Sequence, residues 1–549
     1  MKQLAPLFAC AGLAACASFP APAPPISVDD LVRRIETLAD DRFAGREPAS
    51  PEGEAAADWI AQEMAAIGLE PAGENGTFFQ AVPLVRSTLD EAASSLTLAG
   101  PRGLAVSLSF GDDTVFWTKK TDPDLAFADS GLVFVGYGAV APEYGWDDYA
   151  GLDVRGKTVV MLVNDPGYAT GDPELFTGRA MTYYGRWTYK FEEAGRQGAT
   201  AAIIVHETAP ASYGWDVVEG SWTDAQFDLV RPDGGASRAA LEGWVTREAA
   251  ERLFAAAGLD FETMKAAAQE RGFRPTPMGN LRASGRVVSD IVEMSSRNVA
   301  GLVRGTERPD EVVLMTAHWD HLGDRDVPPG EDGIYNGAVD NATGVAAILE
   351  IAEALAANPP ERSVMALAVT AEESGLLGSE YFGESPLVPL AHIVGGLNID
   401  ALLPVGGARD IVVVGYGASE LEDILARHAA TAGKTLTPDP NPEAGYFYRS
   451  DHISLSKRGV PMLYADSGED LLEGGAAAGA AAQADYRDNR YHGPADEYDA
   501  ATWDFSGIVE MLTIDLAVVR DLADSDDWPN WYEGNEFRAL RDAQRAGAD

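Results

Sequence analysis

Cysteine and basic residues are both scarce in this chain of 549 residues. The only cysteines are Cys10 and Cys16, so disulfides cannot hold the mature fold together, and the hydrophobic core must do so. The 41 basic residues stand against 86 acidic ones, and the net charge of −45 argues against nucleic acid or anionic membrane surfaces as partners. The hydrophobic content of 46% is typical of a globular protein, and the length predicts two or more domains.

The first residues have the features of an export signal. Lys2 precedes a short apolar run and then small residues, and no later apolar run reaches the roughly 20 residues that a membrane-spanning helix needs. Leu13-Ala14-Ala15-Cys16 resembles the lipobox of bacterial lipoproteins, in which the cysteine becomes the lipidated first residue. We therefore expect residues 1–26 to be a signal and tether. The protein would be exported to the periplasm or outer membrane, touching the membrane only through a lipid on Cys16; ordinary secretion is the alternative.

After Asn298, short apolar runs alternate with helical patterns. This alternation predicts an α/β domain with a mixed, largely parallel sheet flanked by helices. Ligands bind such sheets beyond the carboxyl ends of the strands, and His318, Glu373 and Asp400 each lie just past an apolar run. Residues from about 90 to 280 have strand-like and helical patterns of their own but no coherent catalytic set, so we interpret them as an inserted domain.

Five residues have the chemistry of a site for two metal ions: His318, Asp340, Glu373, Asp400 and His452. Zinc accepts imidazole and carboxylate ligands, and paired metals are common in hydrolases. The three carboxylates leave one net positive charge on two Zn²⁺ ions, which suits one bridging hydroxide as the nucleophile of a hydrolytic reaction.

Two further acidic residues have predicted roles beside these ligands. Glu372 and Glu373 are adjacent, and adjacent side chains of extended backbone point to opposite sides. One can therefore ligate a metal while the other acts as general base. Asp320 lies two residues after His318 and is predicted to orient its imidazole. His492, in Tyr491-His492-Gly493-Pro494, is left open between supporting the site and lying on the surface.

These motifs resemble those of the secreted bacterial di-zinc aminopeptidases, whose fold is shared by glutamate carboxypeptidase and the transferrin receptor ectodomain. The resemblance extends to Leu38–Arg46 and Tyr491–Glu497. It implies His318 and Asp400 on one zinc ion, Glu373 and His452 on the other, Asp340 as the bridge and Glu372 as the general base. It also implies a discontinuous peptidase domain (27–88 and 280–525), an inserted β-rich protease-associated domain (89–279) and a C-terminal tail (526–549).

The sequence favours an aminopeptidase that cleaves N-terminal peptide bonds, because an acidic protein suits a substrate amine. A carboxypeptidase of the same fold is the alternative, and it would need a basic group for the substrate carboxylate. Arg449 is the candidate for that role, and His492 is a second candidate for substrate binding. A catalytically silent binding protein is a third hypothesis, which the complete ligand set argues against.

Overall fold

The computed structural model describes residues 26–547, apart from the side chain of Arg102. The predicted export signal and Cys16 lie outside the described residues, so the expectations of export and lipidation stay predictions. Within residues 26–547, no helix combines the length and the apolar character needed to cross a membrane.

The chain begins on the part that the sequence predicts to be the peptidase domain, which we call the peptidase part, and then leaves it. Two helices come first, and their apolar faces are buried against the core of the later sheet. A long strand then carries the chain into the inserted segment. The elements are α1 (Val28–Leu38), α2 (Pro51–Ala66), β1 (Glu70–Pro71) and β2 (Phe79–Leu89).

The inserted segment builds a second sheet of its own. Its centre is four parallel strands in the order β6, β9, β10 and β12, with β5 antiparallel to β12 at one edge. Apolar clusters on both faces bury these strands beneath helices, as expected for a parallel sheet. The elements are β3 (Ser95–Ala99), β4 (Ala105–Val106), β5 (Thr114–Trp117), β6 (Asp124–Phe134), β7 (Val140–Ala141), β8 (Trp146–Asp147), β9 (Thr158–Leu162), α3 (Pro166–Thr170), α4 (Trp187–Arg196), β10 (Ala201–Val205), α5 (Thr208–Ala211), α6 (Trp215–Thr223), β11 (Gln226–Leu229), β12 (Leu241–Val245), α7 (Arg247–Ala257) and α8 (Phe261–Ala268).

One long strand, β13 (Thr276–Val303), joins the two sheets. Up to Val288 it pairs with β3 and β6 of the inserted segment, and from Ser289 it pairs with β2 and then β15. The sequence placed the start of the second peptidase segment at residue 280, which falls inside this strand. The identity of the insert as a protease-associated domain stays a prediction.

The peptidase part contains the sheet that carries the candidate site. Its order is β13, β15, β14, β16, β19, β17 and β18, and the four strands from β15 to β19 are parallel. This confirms the predicted mixed, largely parallel sheet between helices. The elements are β14 (Arg308–His318), α9 (Thr343–Ala356), β15 (Arg362–Val369), α10 (Leu377–Glu384), β16 (Ile393–Asn398), β17 (Asp410–Val413), α11 (Leu421–Thr431), β18 (Thr435–Pro438), α12 (His452–Ser456), β19 (Met462–Ser467), α13 (Gly475–Asn489), α14 (Ser506–Asp524) and α15 (Arg538–Ala546).

The last residues pack on the peptidase part rather than forming a separate unit. Trp531 is fully buried in an apolar cluster with Phe447 and Ile453. Arg541 in α15 donates hydrogen bonds to the carbonyl oxygens of Ile393 and Val394, at the start of β16. The predicted C-terminal tail therefore supports the strand that leads to Asp400.

Candidate metal centre

The parallel strands bring the predicted ligands to one edge of the sheet. His318 is the last residue of β14, and Asp400 lies just after the end of β16. Glu372 and Glu373 follow β15 after Thr370 and Ala371, and Ala371 has left-handed backbone with φ of +54°. Asp340 lies in the turn that leads into α9, so four loops meet at the carboxyl ends of adjacent strands.

Asp340 lies between two groups of potential ligands. Its Oδ1 is 3.1 Å from Nε2 of His318, and that nitrogen is 3.2 Å from Oδ1 of Asp400. Its Oδ2 is on the other side, 3.4 Å from Nε2 of His492. One carboxylate thus offers one oxygen to each group, which is the arrangement expected of a carboxylate that bridges two metal ions.

The second group contains Glu373 and two imidazoles. Nε2 of His492 is 3.0 Å from Oε2 of Glu373, so this one nitrogen contacts both Glu373 and Asp340. Nδ1 of His321 is 2.6 Å from the other oxygen of Glu373. His321, Asp340 and Glu373 also lie close enough together to share an ion. His492, tentatively assigned to substrate binding from the sequence, lies within this group of side chains.

His452, the predicted fifth ligand, forms no ion pair with these carboxylates among the described residues. His452 is buried at the start of α12, where its ring packs against Phe447 and Tyr464 with centroid distances of 4.7 and 5.1 Å. Among the described residues, neither of its ring nitrogens has a hydrogen-bond partner. Burial lowers the pKa of His452 to about 3, so the imidazole is neutral, as suits an apolar environment.

Asp320 supports the site in a different way from the one predicted. Nδ1 of His318 is 3.1 Å from the backbone carbonyl oxygen of Asp320, which fixes the ring and leaves Nε2 facing the carboxylates. The Asp320 carboxylate instead accepts hydrogen bonds from the backbone N–H groups of Glu372 (3.1 Å) and Glu373 (3.3 Å). Asp320 therefore positions the glutamate pair with its side chain and His318 with its main chain.

A chain of polar side chains fixes Asp400. The hydroxyl of Ser450 donates to Oδ2 of Asp400 at 2.6 Å, and the amide of Asn398 donates to Ser450 at 2.7 Å. The Thr316 hydroxyl in turn donates to Oδ1, the side-chain amide oxygen of Asn398, at 2.7 Å. This leaves Oδ1 of Asp400 facing Nε2 of His318. Arg449, the neighbour of Ser450, does not join the cluster itself.

Arg46 and Asp496 connect the loops of the site through hydrogen bonds to their backbones. No role was predicted for either residue from the sequence. The Arg46 guanidinium is fully buried and donates to the carbonyl oxygens of Trp319 and Gly337, next to the loops of His318 and Asp340. The Asp496 carboxylate accepts from the backbone N–H groups of Val339 and Asp340, both at 3.0 Å. Arg46 lies in the motif Leu38–Arg46 and Asp496 in the motif Tyr491–Glu497, both of which are part of the family resemblance. That resemblance was the sequence feature that could have pointed to these two residues.

Two glycines permit the close approach of these loops. Gly45 has φ of +67°, and a Cβ there would lie 2.3 Å from the carbonyl oxygen of Gly323. Gly337 has φ of +54°, and a Cβ there would lie 2.7 Å from the ring of His321. A side chain at either position would push the ligand loops apart.

The electrostatics of the cluster favour positive charge. Burial opposes the charged form of His492, but Glu373 and Asp340 still raise its pKa to about 10. Burial also opposes ionisation of Glu373, yet the imidazoles of His492 and His321 lower its pKa to about 2. The Glu373 carboxylate is thus ionised and favours a cation beside it. The donor set fits zinc, which accepts both imidazole and carboxylate ligands.

Comparison with known proteins agrees with this geometry. Residues 298–517 match the sequence profile of peptidase family M28. This part of the chain is similar to that family. The matched range contains the residues from His318 to His492 that form the cluster.

Individual relatives match shorter stretches. A probable zinc metalloprotease of Leptosphaeria maculans is 35% identical over 112 residues, which are 20% of this chain and 26% of that protein. The aminopeptidase NAALADL1 of Rattus norvegicus is 33% identical over 140 residues, 24% of this chain and 17% of that protein. The chain thus spans about a quarter of the length of the curated zinc metalloproteases that it matches.

One solved structure shows the same fold along nearly the whole chain. The aminopeptidase from Aneurinibacillus sp. strain AM-1 superimposes with a TM-score of 0.51 and 18% sequence identity. The match covers 92% of this chain and 95% of the other. At this identity the match shows that the two chains share a fold.

Proposed function

We propose that this protein is a zinc-dependent exopeptidase that removes N-terminal residues from peptides. The observation that carries the proposal is Asp340, whose two oxygens face two separate groups of imidazole and carboxylate ligands. Similarity to a peptidase family supports hydrolysis of peptide bonds, and the matched relatives include proteins named as zinc metalloproteases and an aminopeptidase.

The residues that would hold two zinc ions follow from the contacts. His318, Asp340 and Asp400 would hold one ion, and Asp340, Glu373 and His492 the other. His321 then orients Glu373 through its hydrogen bond. Zinc bound there supplies Lewis acidity, which lowers the pKa of a water molecule and polarises a carbonyl group.

Glu372 is the proposed general base. Its carboxylate lies close to the side chains of His318 and Glu373. Among the described residues, no hydrogen bond holds the Glu372 carboxylate in place. Its carboxylate is free to take a proton from the attacking water and to pass it to the leaving amine. Burial raises the pKa of Glu372 well above its usual range, and the charges of Glu373 and Asp400 add to that shift. A nearby cation opposes these effects and favours the ionised base.

The acidic surroundings favour a substrate amine. Asp451 and Asp320 lie buried beside the cluster in addition to the three carboxylate ligands and Glu372. A protonated N-terminus is attracted to this excess of acidic groups, whereas a substrate carboxylate placed among them is repelled.

The first test compares Glu372→Gln with the native chain after zinc loading. We expect release of an amino acid from a leucine anilide to fall by about 10²- to 10⁴-fold, because the amide cannot accept the proton. Bound zinc should be unchanged, because Glu372 is not a ligand. Glu384→Gln, a half-exposed side chain on α10, is the control and should keep full activity. Full activity in Glu372→Gln would remove the assigned base, and activity that persists in chelator would overturn the zinc mechanism.

A carboxypeptidase is the second candidate, because Arg449 lies next to Ser450, a hydrogen-bond partner of Asp400. The two activities differ in which end of the substrate must be free. An N-acetylated peptide that is still trimmed at its C-terminus would establish the carboxypeptidase. A peptide amide that loses its free N-terminal residue would establish the aminopeptidase.

A further inference from the structure

The inserted segment contains a cavity of its own, which we call the insert cavity. Its volume is about 750 Å³, and its lining residues all lie between Tyr137 and Gln269, within the insert. Four of them follow the ends of the parallel strands β6, β9, β10 and β12: Tyr137, Val163, His206 and Thr246. Ligands of parallel α/β sheets bind at this edge, and cavities of about 300–1,000 Å³ are typical of small-molecule sites. The position and the size of the cavity therefore indicate a second binding site.

His206 offers a hydrogen-bond acceptor at this cavity. It directly follows β10, and it is only 4% exposed although it lines the cavity. Its Nε2 lies 3.0 Å from the backbone carbonyl oxygen of Tyr213, so Nε2 carries the ring proton and Nδ1 keeps its lone pair. Among the described residues this contact is the one hydrogen bond of the ring. Burial lowers the pKa of His206, which keeps the ring neutral and Nδ1 able to accept a proton donor.

The charges around the cavity are mostly acidic. Its two basic lining residues, Lys265 and Arg247, are both paired with Glu207, at 2.6 and 3.1 Å. Glu248 lines the cavity at the start of α7 and takes part in none of the ion pairs of Lys265 and Arg247. Four carboxylates thus surround the two basic groups, those of Glu207, Glu248, Glu251 and Glu262. This surplus of negative charge favours a cation as the ligand.

Aromatic side chains form part of the walls. Tyr137, Tyr168 and Trp215 all line the cavity. The ring of Trp215 is held in place, because its Nε1 donates to the carbonyl oxygen of Gly111 at 2.7 Å and its centre lies 5.7 Å from that of His206. Aromatic faces attract organic cations and also cover the apolar part of such a ligand.

We propose that the insert cavity binds a small organic amine in its protonated form, with an aromatic or apolar body. The ammonium group donates a hydrogen bond to Nδ1 of His206 and is attracted to Glu248, while the aromatic walls cover the body. Glu207 already holds the two basic side chains of the lining, so a ligand carboxylate competes with it for them. This site is separate from the metal centre, and the proposal goes beyond the peptidase function.

The test measures the binding of phenethylamine to the zinc-loaded full chain near neutral pH by isothermal titration calorimetry. The matched probe is 2-phenylethanol, which has the same body and a neutral hydroxyl group in place of the ammonium group. We expect phenethylamine to bind about 10-fold more tightly or better, because only the amine carries a charge. Phenylalanine adds a carboxylate to the same amine and should bind about 5-fold more weakly than phenethylamine, because that carboxylate is repelled by the surplus of acidic groups.

Variants locate the binding in the cavity. Ala209 lines the cavity and is exposed, so Ala209→Trp should fill the space and abolish the binding of both matched probes without disturbing the core. Glu248→Gln should weaken phenethylamine by about 3- to 10-fold and leave 2-phenylethanol unchanged, because it removes only a charge. His206→Phe keeps a ring against Trp215 and removes Nδ1, and it should weaken phenethylamine by about 5- to 20-fold. Glu270→Gln is the control, an exposed acidic residue next to the lining residue Gln269, and should bind as the native chain does.

Some results with the native chain alone would overturn the proposal. Equal affinity for phenethylamine and 2-phenylethanol would do so, as would the absence of measurable binding at millimolar concentration. Tighter binding of phenylalanine than of phenethylamine would show that the site does not select a cation.

The variants supply a further contradiction. Unchanged binding of phenethylamine in Ala209→Trp, or in both Glu248→Gln and His206→Phe, would place the amine elsewhere, for example at the metal centre. Failure of the proposed peptidase function is distinct, because it is measured by the release of an amino acid from a leucine anilide and leaves the binding of phenethylamine unaffected.

Discussion

A single nitrogen atom, Nε2 of His492, contacts oxygens of both Asp340 and Glu373. We therefore expect His492→Ala to lower the zinc content from about two ions per chain to about one, because the second ion loses its imidazole ligand. Inductively coupled plasma mass spectrometry after dialysis against a weak chelator measures this. His452→Gln is the matched control and should keep both ions. Loss of an ion in the His452 variant, but not in the His492 variant, would contradict the assignment.

The sequence predicted the residue types of the candidate ligands better than it predicted which of those residues lie together in the fold. His318, Glu373 and Asp400 were predictable because each follows an apolar run, and parallel strands bring such positions to one edge. His452 has the right chemistry and precedes a helix, but linear spacing does not show that its ring turns into an apolar cluster. His492 lies in a stretch without a strand to anchor it, so periodicity gave no indication of its position.

At the scale of elements, the site depends on contacts between loops rather than on the sheet alone. Arg46 donates to backbone carbonyl oxygens of three segments: Leu38 at the end of α1, and the loops of Trp319 and Gly337. A single ammonium group cannot reach all of these acceptors. We expect Arg46→Lys to lower the free energy of unfolding by about 2–4 kcal/mol and to reduce zinc affinity by about 10-fold or more.

Arg42→Lys is the matched control for Arg46, since it lies on the same turn but is exposed. Chemical denaturation and zinc titration of both variants measure the two effects. Equal stability of Arg46→Lys and the native chain would show that the loops do not depend on this residue.

The long strand β13 shows what local pattern cannot reveal at the scale of elements. The alternation along Thr276–Val303 indicates a strand, but the partners change from the insert to the peptidase sheet partway along it. No residue marks that change in the sequence, because partners are chosen by contacts that are distant in the chain. The parallel order of the central sheet was predictable, since helices separate its strands.

At the scale of the whole molecule, buried acidic groups make stability depend on pH. Burial raises the pKa of Asp515 in α14 to about 8, and nearby Asp466 is also buried, with its pKa raised well above the usual range. The folded chain therefore keeps the Asp515 proton to a higher pH than the unfolded chain, in which the carboxyl titrates near 4. This contribution to stability is fully present below about pH 4 and is lost as the pH rises toward 8.

We expect Asp515→Asn to remove that contribution. Compared with the native chain, the variant should gain stability between pH 5 and pH 9 on the order of 3 kcal/mol, because an amide carries no charge to bury. Urea unfolding at several pH values measures the free energy of unfolding of both proteins. A chelator is present so that zinc binding does not contribute to the difference. Parallel pH profiles of the two proteins would show that Asp515 does not titrate in this range.

We propose that Asp340 lies between two zinc ions, with His318 and Asp400 on one side and Glu373 and His492 on the other. Anomalous X-ray diffraction at the zinc edge, from crystals of the zinc-loaded chain, tests it most directly. The account predicts two peaks flanking the Asp340 carboxylate, the second of them coordinated by Nε2 of His492. A single peak, or a peak at the ring of His452, would contradict it.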